Sequence, residues 1–201
     1  MPPQLTVYFW PESSDSIPIN QSLIVIAVRT LPTTLRSQAR KLIRIAIRQV
    51  LAKKLSCPYA EIKLTSELGQ SLKLSQPRQN IGLSISHESS LTLAAINMNG
   101  GVGVDLIDVN SIPNDHEIYI LANEYLGTQL AEYISLLPSE LQNHAFAQAW
   151  TEFEARLKCL EKSLTEWTPS SALKLNTLAI RSLNMPDSYI GTVIFSNANN
   201  Y

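Results

Sequence analysis

Trp150-Thr-Glu-Phe-Glu-Ala-Arg-Leu-Lys158 places an acid and a base on one face of a predicted helix. Glu154 and Lys158 are four residues apart, so their side chains stand one above the other. Trp150, four residues before Glu154, shares the stripe. The helix is expected over 138–162, starting after Pro138 with Ser139 as its cap. Asp105 lies 49 positions before Glu154, at the end of the apolar run Gly101-Val-Gly-Val-Asp105. His87 lies 18 positions before Asp105, in the alternating segment Leu83-Ser-Ile-Ser-His87-Glu88. Histidine, aspartate and the tryptophan–glutamate–lysine stripe each close an apolar element.

The rest of the chain supplies a frame for these elements. Residues 5–10 and 22–28 read as strands, with a loop at Pro11–Pro18 between them. In 33–55, Leu35, Ala39, Leu42, Ile43, Ala46, Ile47, Val50 and Leu51 recur at three- and four-residue spacing, which predicts a long amphipathic helix capped by Thr33 or Thr34. Arg36, Arg40, Arg44 and Arg48 run along it as one stripe. Residues 60–64, 81–87 and 91–97 read as strands, with Gly69–Gln79 a loop. Asn99-Gly100-Gly101 then turns into Val102–Val109, the pattern of a hairpin. A helix over 115–135 and closing strands at 172–181 and 188–195 complete the order. Strands, helix, strands are followed by strand, helices, strands. The expectation is therefore an α+β protein of two similar α/β halves, 1–98 and 99–201, related by a pseudo-two-fold. Each half is a small, mainly antiparallel sheet packed with a long helix.

Bulk properties restrict the function. The chain has 201 residues, of which 45% are apolar, ordinary for a globular protein. The formal charge of −1 gives no support to nucleic-acid binding. Between Arg36 and Lys54, however, seven basic residues occur without an acid. This is either a solvated helix face or an anion site for phosphates. Cys57 and Cys159 form no close pair, so a metal ribbon or redox motif is not expected. The start lacks a basic leader, and the run Leu23–Val28 is too short for a membrane span. A cytoplasmic protein without membrane contact is the expectation.

Each candidate residue has a plain structural reading beside the chemical one. Asp105 could be a strand-end turn or cap residue, but a carboxylate after an apolar strand needs a partner or a cation. Glu154 could simply pair with Lys158 on a solvated face. Together, the two carboxylates could bind a hard cation such as Mg2+, which usually takes one or two carboxylates and keeps water and phosphate as its other ligands. His87 alone would more often be structural. His116 and His144 read as surface residues, and Trp10 and Trp167 as core or rim residues.

Ser84-Ile-Ser86-His87, Gly103-Val-Asp105 and Trp150-Thr-x-x-Glu154-Ala-x-x-Lys158 together resemble the three signatures of 4′-phosphopantetheinyl transferases. The likeness is to the surfactin-synthetase-activating type, with two halves fused in one chain, and it covers most of the sequence. Each motif is short, and their order, spacing and context carry the resemblance. It implies transfer of the phosphopantetheine arm of coenzyme A to a serine of an acyl or peptidyl carrier protein, by a protein sufficient as a monomer. Asp105 and Glu154 would ligate Mg2+, with Glu154 also helping to deprotonate the serine. Lys158 would stabilise the pyrophosphate and the departing nucleotide. Arg40, Ser86 and His87 would hold the 3′-phosphate end of coenzyme A. Gly69-Gln-Ser stands where the family usually has Gly-Lys-Pro, and Ala122-Asn-Glu-Tyr-Leu126 where it often has an aromatic-rich helix start. The chain departs from the family pattern at Ile107, where a second acid is common, and at Phe153 and Gln70, where lysine is common. These departures keep open a catalytically impaired relative that binds coenzyme A or a carrier protein without transfer.

Overall fold

The structure, a computed structural model, describes residues 4–66, 71–112, 115–168, 178–186 and 188–196. It is a mixed α+β fold. Strands β1 (Val7–Phe9), β2 (Leu23–Arg29), β5 (Gly82–Glu88) and β6 (Leu91–Asn97) form a sheet in the order β1-β2-β6-β5. In it β1 runs parallel to β2, and the other pairs are antiparallel. A second sheet has the order β7-β9-β8, from Val102–Asp108, Tyr189–Phe195 and Ala179–Ser182. Strands β3 (Lys63–Thr65) and β4 (Lys73–Gln76) form a separate ribbon.

Alternation along the strands explains how these parts stack. Ile24, Ile26 and Val28 of β2, with Ala94 and Ile96 of β6, pack against Ile43, Ala46, Ile47, Val50 and Leu51 of helix α1 (Arg36–Leu55). The intervening residues Val25, Ala27, Leu93 and Ala95 face the other way, against Val102, Val104 and Leu106 of β7 and Val193 of β9. Strand β6 is therefore buried along its whole length, which is why it reads as one apolar run. On the far side of β7 and β9 lies helix α4 (Ser139–Cys159), with Thr151 Oγ1 and Thr192 Oγ1 sharing a hydrogen bond at 3.0 Å. The layers run helix, sheet, sheet, helix. Helix α2 (Asp115–Leu121) and α3 (Thr128–Ser135) close one end around Ile118, Ala131, Ile134 and Phe146.

Several sequence expectations need correction. The Asn99-Gly100-Gly101 turn does not make a hairpin: β6 pairs with β2 and β5, while β7 pairs with β9. The turn instead carries the chain from one sheet to the next. Asn97 pins this crossing by donating from Nδ2 to Gly101 O at 3.1 Å and Ser196 O at 3.0 Å. The single helix expected over 115–135 is broken. A π-turn at Ala122–Leu126 ends at Gly127, whose φ of 97° favours glycine, and a Cβ there would meet the Trp167 ring at 2.8 Å. Neither expected cap forms. Leu35 precedes α1 and Pro138 precedes α4, neither with a side-chain capping bond, and Ser139 is already helical. Strand β4 lies inside the stretch read as the Gly69–Gln79 loop. Residues 67–70, including Gly69 and Gln70, and most of the strand expected at 172–181 lie outside the described residues.

Candidate active site

The site is built where β5, β7, α1 and α4 meet. Side chains alternate along β7, so Val104 and Leu106 enter the inter-sheet core while Asp105 faces α4. Gly103 permits the close approach of that helix: a Cβ there would lie 1.9 Å from Ala155 O and 2.5 Å from Cys159 N. On α4, Ala155 lies against Gly103 of β7 and Thr151 against Thr192 of β9, which turns Trp150, Glu154 and Lys158 toward a cavity of about 1090 Å³. Arg36, Arg40 and Arg44 of α1 line the cavity, as do Ser86, His87 and Glu88 from the end of β5. All six residues singled out from the sequence motifs, Arg40, Ser86, His87, Asp105, Glu154 and Lys158, border this one space.

At its centre is an ammonium among carboxylates. Lys158 Nζ donates to Asp105 Oδ1 at 2.6 Å and to Ser86 Oγ at 3.3 Å, and stands 4.0 Å from Glu154 Oε2. Ser86 Oγ donates to the same Asp105 oxygen at 2.7 Å. The Asp105 side chain keeps only 9% of its exposure, so these partners supply the compensation that a buried carboxylate requires. Burial raises the Glu154 carboxyl above its ordinary range, with Lys158 opposing and Asp105 reinforcing the shift. His87 Nδ1 shares a hydrogen bond with Thr92 Oγ1 at 2.8 Å, across the β5–β6 register. Its pKa is lowered to about 4, mainly by burial and further by Arg36, Arg40 and Lys158. The imidazole is thus neutral near pH 7.

The stripe of four arginines divides. Arg36, Arg40 and Arg44 border the cavity, whereas Arg48 donates to Ile62 O at 2.9 Å and Tyr59 O at 3.1 Å and lies over the Tyr59 ring. Lys53 and Lys54 hold the 14–21 loop through Ser14 O, Asp15, Ile19 O and Gln21 O. The basic run is therefore part cavity wall and part structural tether. Ile107 borders the cavity, while Asp108 turns away and accepts from Asn110 N at 3.0 Å. Phe153 stacks edge-on with Trp150 at 6.2 Å between centroids.

Several lining residues, Glu88, Ser71, Lys73 and Glu161 among them, escaped the sequence reading. Glu88 is half-buried in the cavity wall, its carboxyl raised by burial, Asp108 and Asp105. Lys73 and Glu161 pair at 3.3 Å on the rim, and Ser71 donates to Glu161 at 2.9 Å. Glu88 adjoins the histidine motif and could have been flagged there. The Lys73–Glu161 pair spans 88 residues and left no local signal. Among the described residues no three histidine, cysteine, aspartate or glutamate side chains cluster as a ready metal cage.

No family model matches this chain. Over 123 residues, 61% of its length, it is 27% identical to a curated protein of Synechocystis sp. that carries the provisional name 4′-phosphopantetheinyl transferase. The likeness is distant, and it points to phosphopantetheinyl transfer. The match spans 49% of that protein, so the chain spans about half the length of the curated relative. No helix among the described residues is long and apolar enough to cross a membrane.

Proposed function

We propose that this chain transfers the 4′-phosphopantetheine arm of coenzyme A to a serine of an acyl or peptidyl carrier protein, with Mg2+. The observation that carries this reading is the convergence of Asp105, Glu154, Lys158, Ser86, His87 and Arg40 on one cavity. At about 1090 Å³ the cavity suits a nucleotide-sized ligand, since ligand pockets commonly run to about 300–1,000 Å³. The distant likeness to the Synechocystis protein supports the same direction. In this reading 1–98 and 99–201 are two similar halves related by a pseudo-two-fold, and the protein works as a cytoplasmic monomer.

The residues present fit a divalent ion. An ammonium already stands among Asp105, Glu154 and Ser86 oxygens, so the donor set accommodates a cation, and two carboxylates are what Mg2+ commonly takes. Asp105 and Glu154 would hold it. Bound there, Mg2+ would neutralise charge on the pyrophosphate and on the phosphoryl group during transfer. Arg40 with Arg36, Ser86 and neutral His87 would receive the nucleotide's 3′-phosphate end. Glu154, directly or through water, takes the serine proton. The serine oxygen bonds to the phosphorus bearing pantetheine, and that phosphorus releases its bridging oxygen with adenosine 3′,5′-bisphosphate. Lys158 holds the charge that gathers on this leaving group.

A second reading, binding without transfer, is favoured by Ile107, which puts an apolar side chain in the cavity wall where a second acid would stand. Chromatographic detection of adenosine 3′,5′-bisphosphate from coenzyme A and an apo carrier protein separates the two. Transfer predicts release by the wild type and at least a hundredfold less, roughly, from D105A and E154A, the loss typical of removing a charge-stabilising group. Full release by both variants contradicts the assignment of the carboxylates.

A further inference from the structure

We propose that Lys158 is a tethered stand-in for the divalent ion, which therefore enters the site cooperatively with a pyrophosphate ligand rather than before it. This rests on the functional reading above. The geometry is specific: one ammonium contacts Asp105 at 2.6 Å and Ser86 at 3.3 Å, and lies 4.0 Å from Glu154. It sits among the oxygens that would ligate the ion. Both ion pairs made by Asp105 and Glu154 in the described residues are with this lysine.

Charge arithmetic then sets the order of events. Two carboxylates carry −2, and Lys158 leaves the cluster at about −1 by direct summation. An ion arriving alone must displace a short, nearly buried ion pair and surrender part of its hydration, which Mg2+ does reluctantly. A pyrophosphate seated in the same cavity, with its nucleotide's 3′-phosphate end at Arg36 and Arg40, offers the lysine a second acceptor. The side chain keeps 30% of its exposure and hangs on a flexible four-carbon stem, so it can turn to that acceptor without moving α4. Its departure restores the full carboxylate charge to the ion. Ion and pyrophosphate thus strengthen each other's binding, and by linkage the effect is mutual.

The test uses the intact chain with Mn2+ as a spectroscopic probe and coenzyme A as the pyrophosphate. With protein alone, the free-Mn2+ paramagnetic signal should be nearly undiminished. Coenzyme A should tighten Mn2+ binding about tenfold or more, within the usual range of site coupling. Lys158→Met should bind Mn2+ without coenzyme A and gain a melting temperature that rises with Mg2+, whereas Lys158→Arg, which keeps the charge, should not. Equal Mn2+ affinity with and without bound coenzyme A overturns the stand-in role, as does a folded Lys158→Met insensitive to Mg2+. Should Lys158→Met fail to fold, Lys158→Gln, neutral but polar, carries the same two expectations and the same overturning result. If coenzyme A does not bind at all, by calorimetry, the functional reading fails, while the Mn2+-alone and Lys158→Arg results still report on Lys158.

Discussion

His87 shows how much its surroundings decide about a residue. Its motif position suggests a residue that holds the 3′-phosphate end, and burial and three neighbouring cations hold its pKa at about 4, so it meets a ligand as a neutral hydrogen-bonding ring. The same shift has a sign in stability. Between the ordinary value of 6.5 and about 4, the unfolded chain carries a proton on this residue that the folded chain lacks. Its contribution is therefore full above pH 6.5 and is lost as pH falls through that window. Glu154 and Glu88, raised by burial, act in the opposite sense above their ordinary value of 4.5 and remain in both proteins compared. Thermal denaturation from pH 7 to 4 should show the wild type losing more of its melting temperature than H87Q. Parallel losses would show that His87 is not held neutral.

At the level of strands and helices, the features with a local signal were the ones legible in the sequence. Strands β2, β5, β6, β7 and β9 lie within about a residue of their expected positions, and α1 starts at Arg36 rather than at 33 but ends where expected, because each has a strong apolar period or run. The hairpin at 97–102 failed because turn chemistry is local, whereas the partner of β7 is β9, almost ninety residues on. The split of the arginine stripe was also hidden, since helical spacing places Arg48 in line with Arg44 but not the Ile62 and Tyr59 carbonyls that capture it. Gly103 is the hinge between element and site, because the sheet–helix contact it allows brings Lys158 to Asp105. G103A should push α4 from β7 and cost about 1–3 kcal/mol or more in denaturant unfolding. It should also lower transfer activity at temperatures where the variant remains folded. A variant as stable and active as wild type would contradict this account of the packing.

For the molecule as a whole, the fold joins three short motifs from distant parts of the chain around one cavity. Cations form its α1 wall, and two carboxylates face them from β7 and α4. The motifs were legible in the sequence; their meeting was implied by the family resemblance and not by any local pattern, because it depends on two sheets packing face to face and on a glycine contact with no periodic signature. The residues at Ile107 and Phe153 alter the surroundings of this site without removing its central Asp105–Lys158–Glu154 group. That leaves activity as the decisive quantity. An apo carrier protein incubated with this chain, coenzyme A and Mg2+ should gain, by intact mass spectrometry, the mass of one phosphopantetheine arm, and EDTA should abolish the gain. An unchanged mass across fatty-acid, polyketide and peptide carrier proteins, with the chain shown to be folded and to bind coenzyme A, would contradict transfer and leave the binding role in its place.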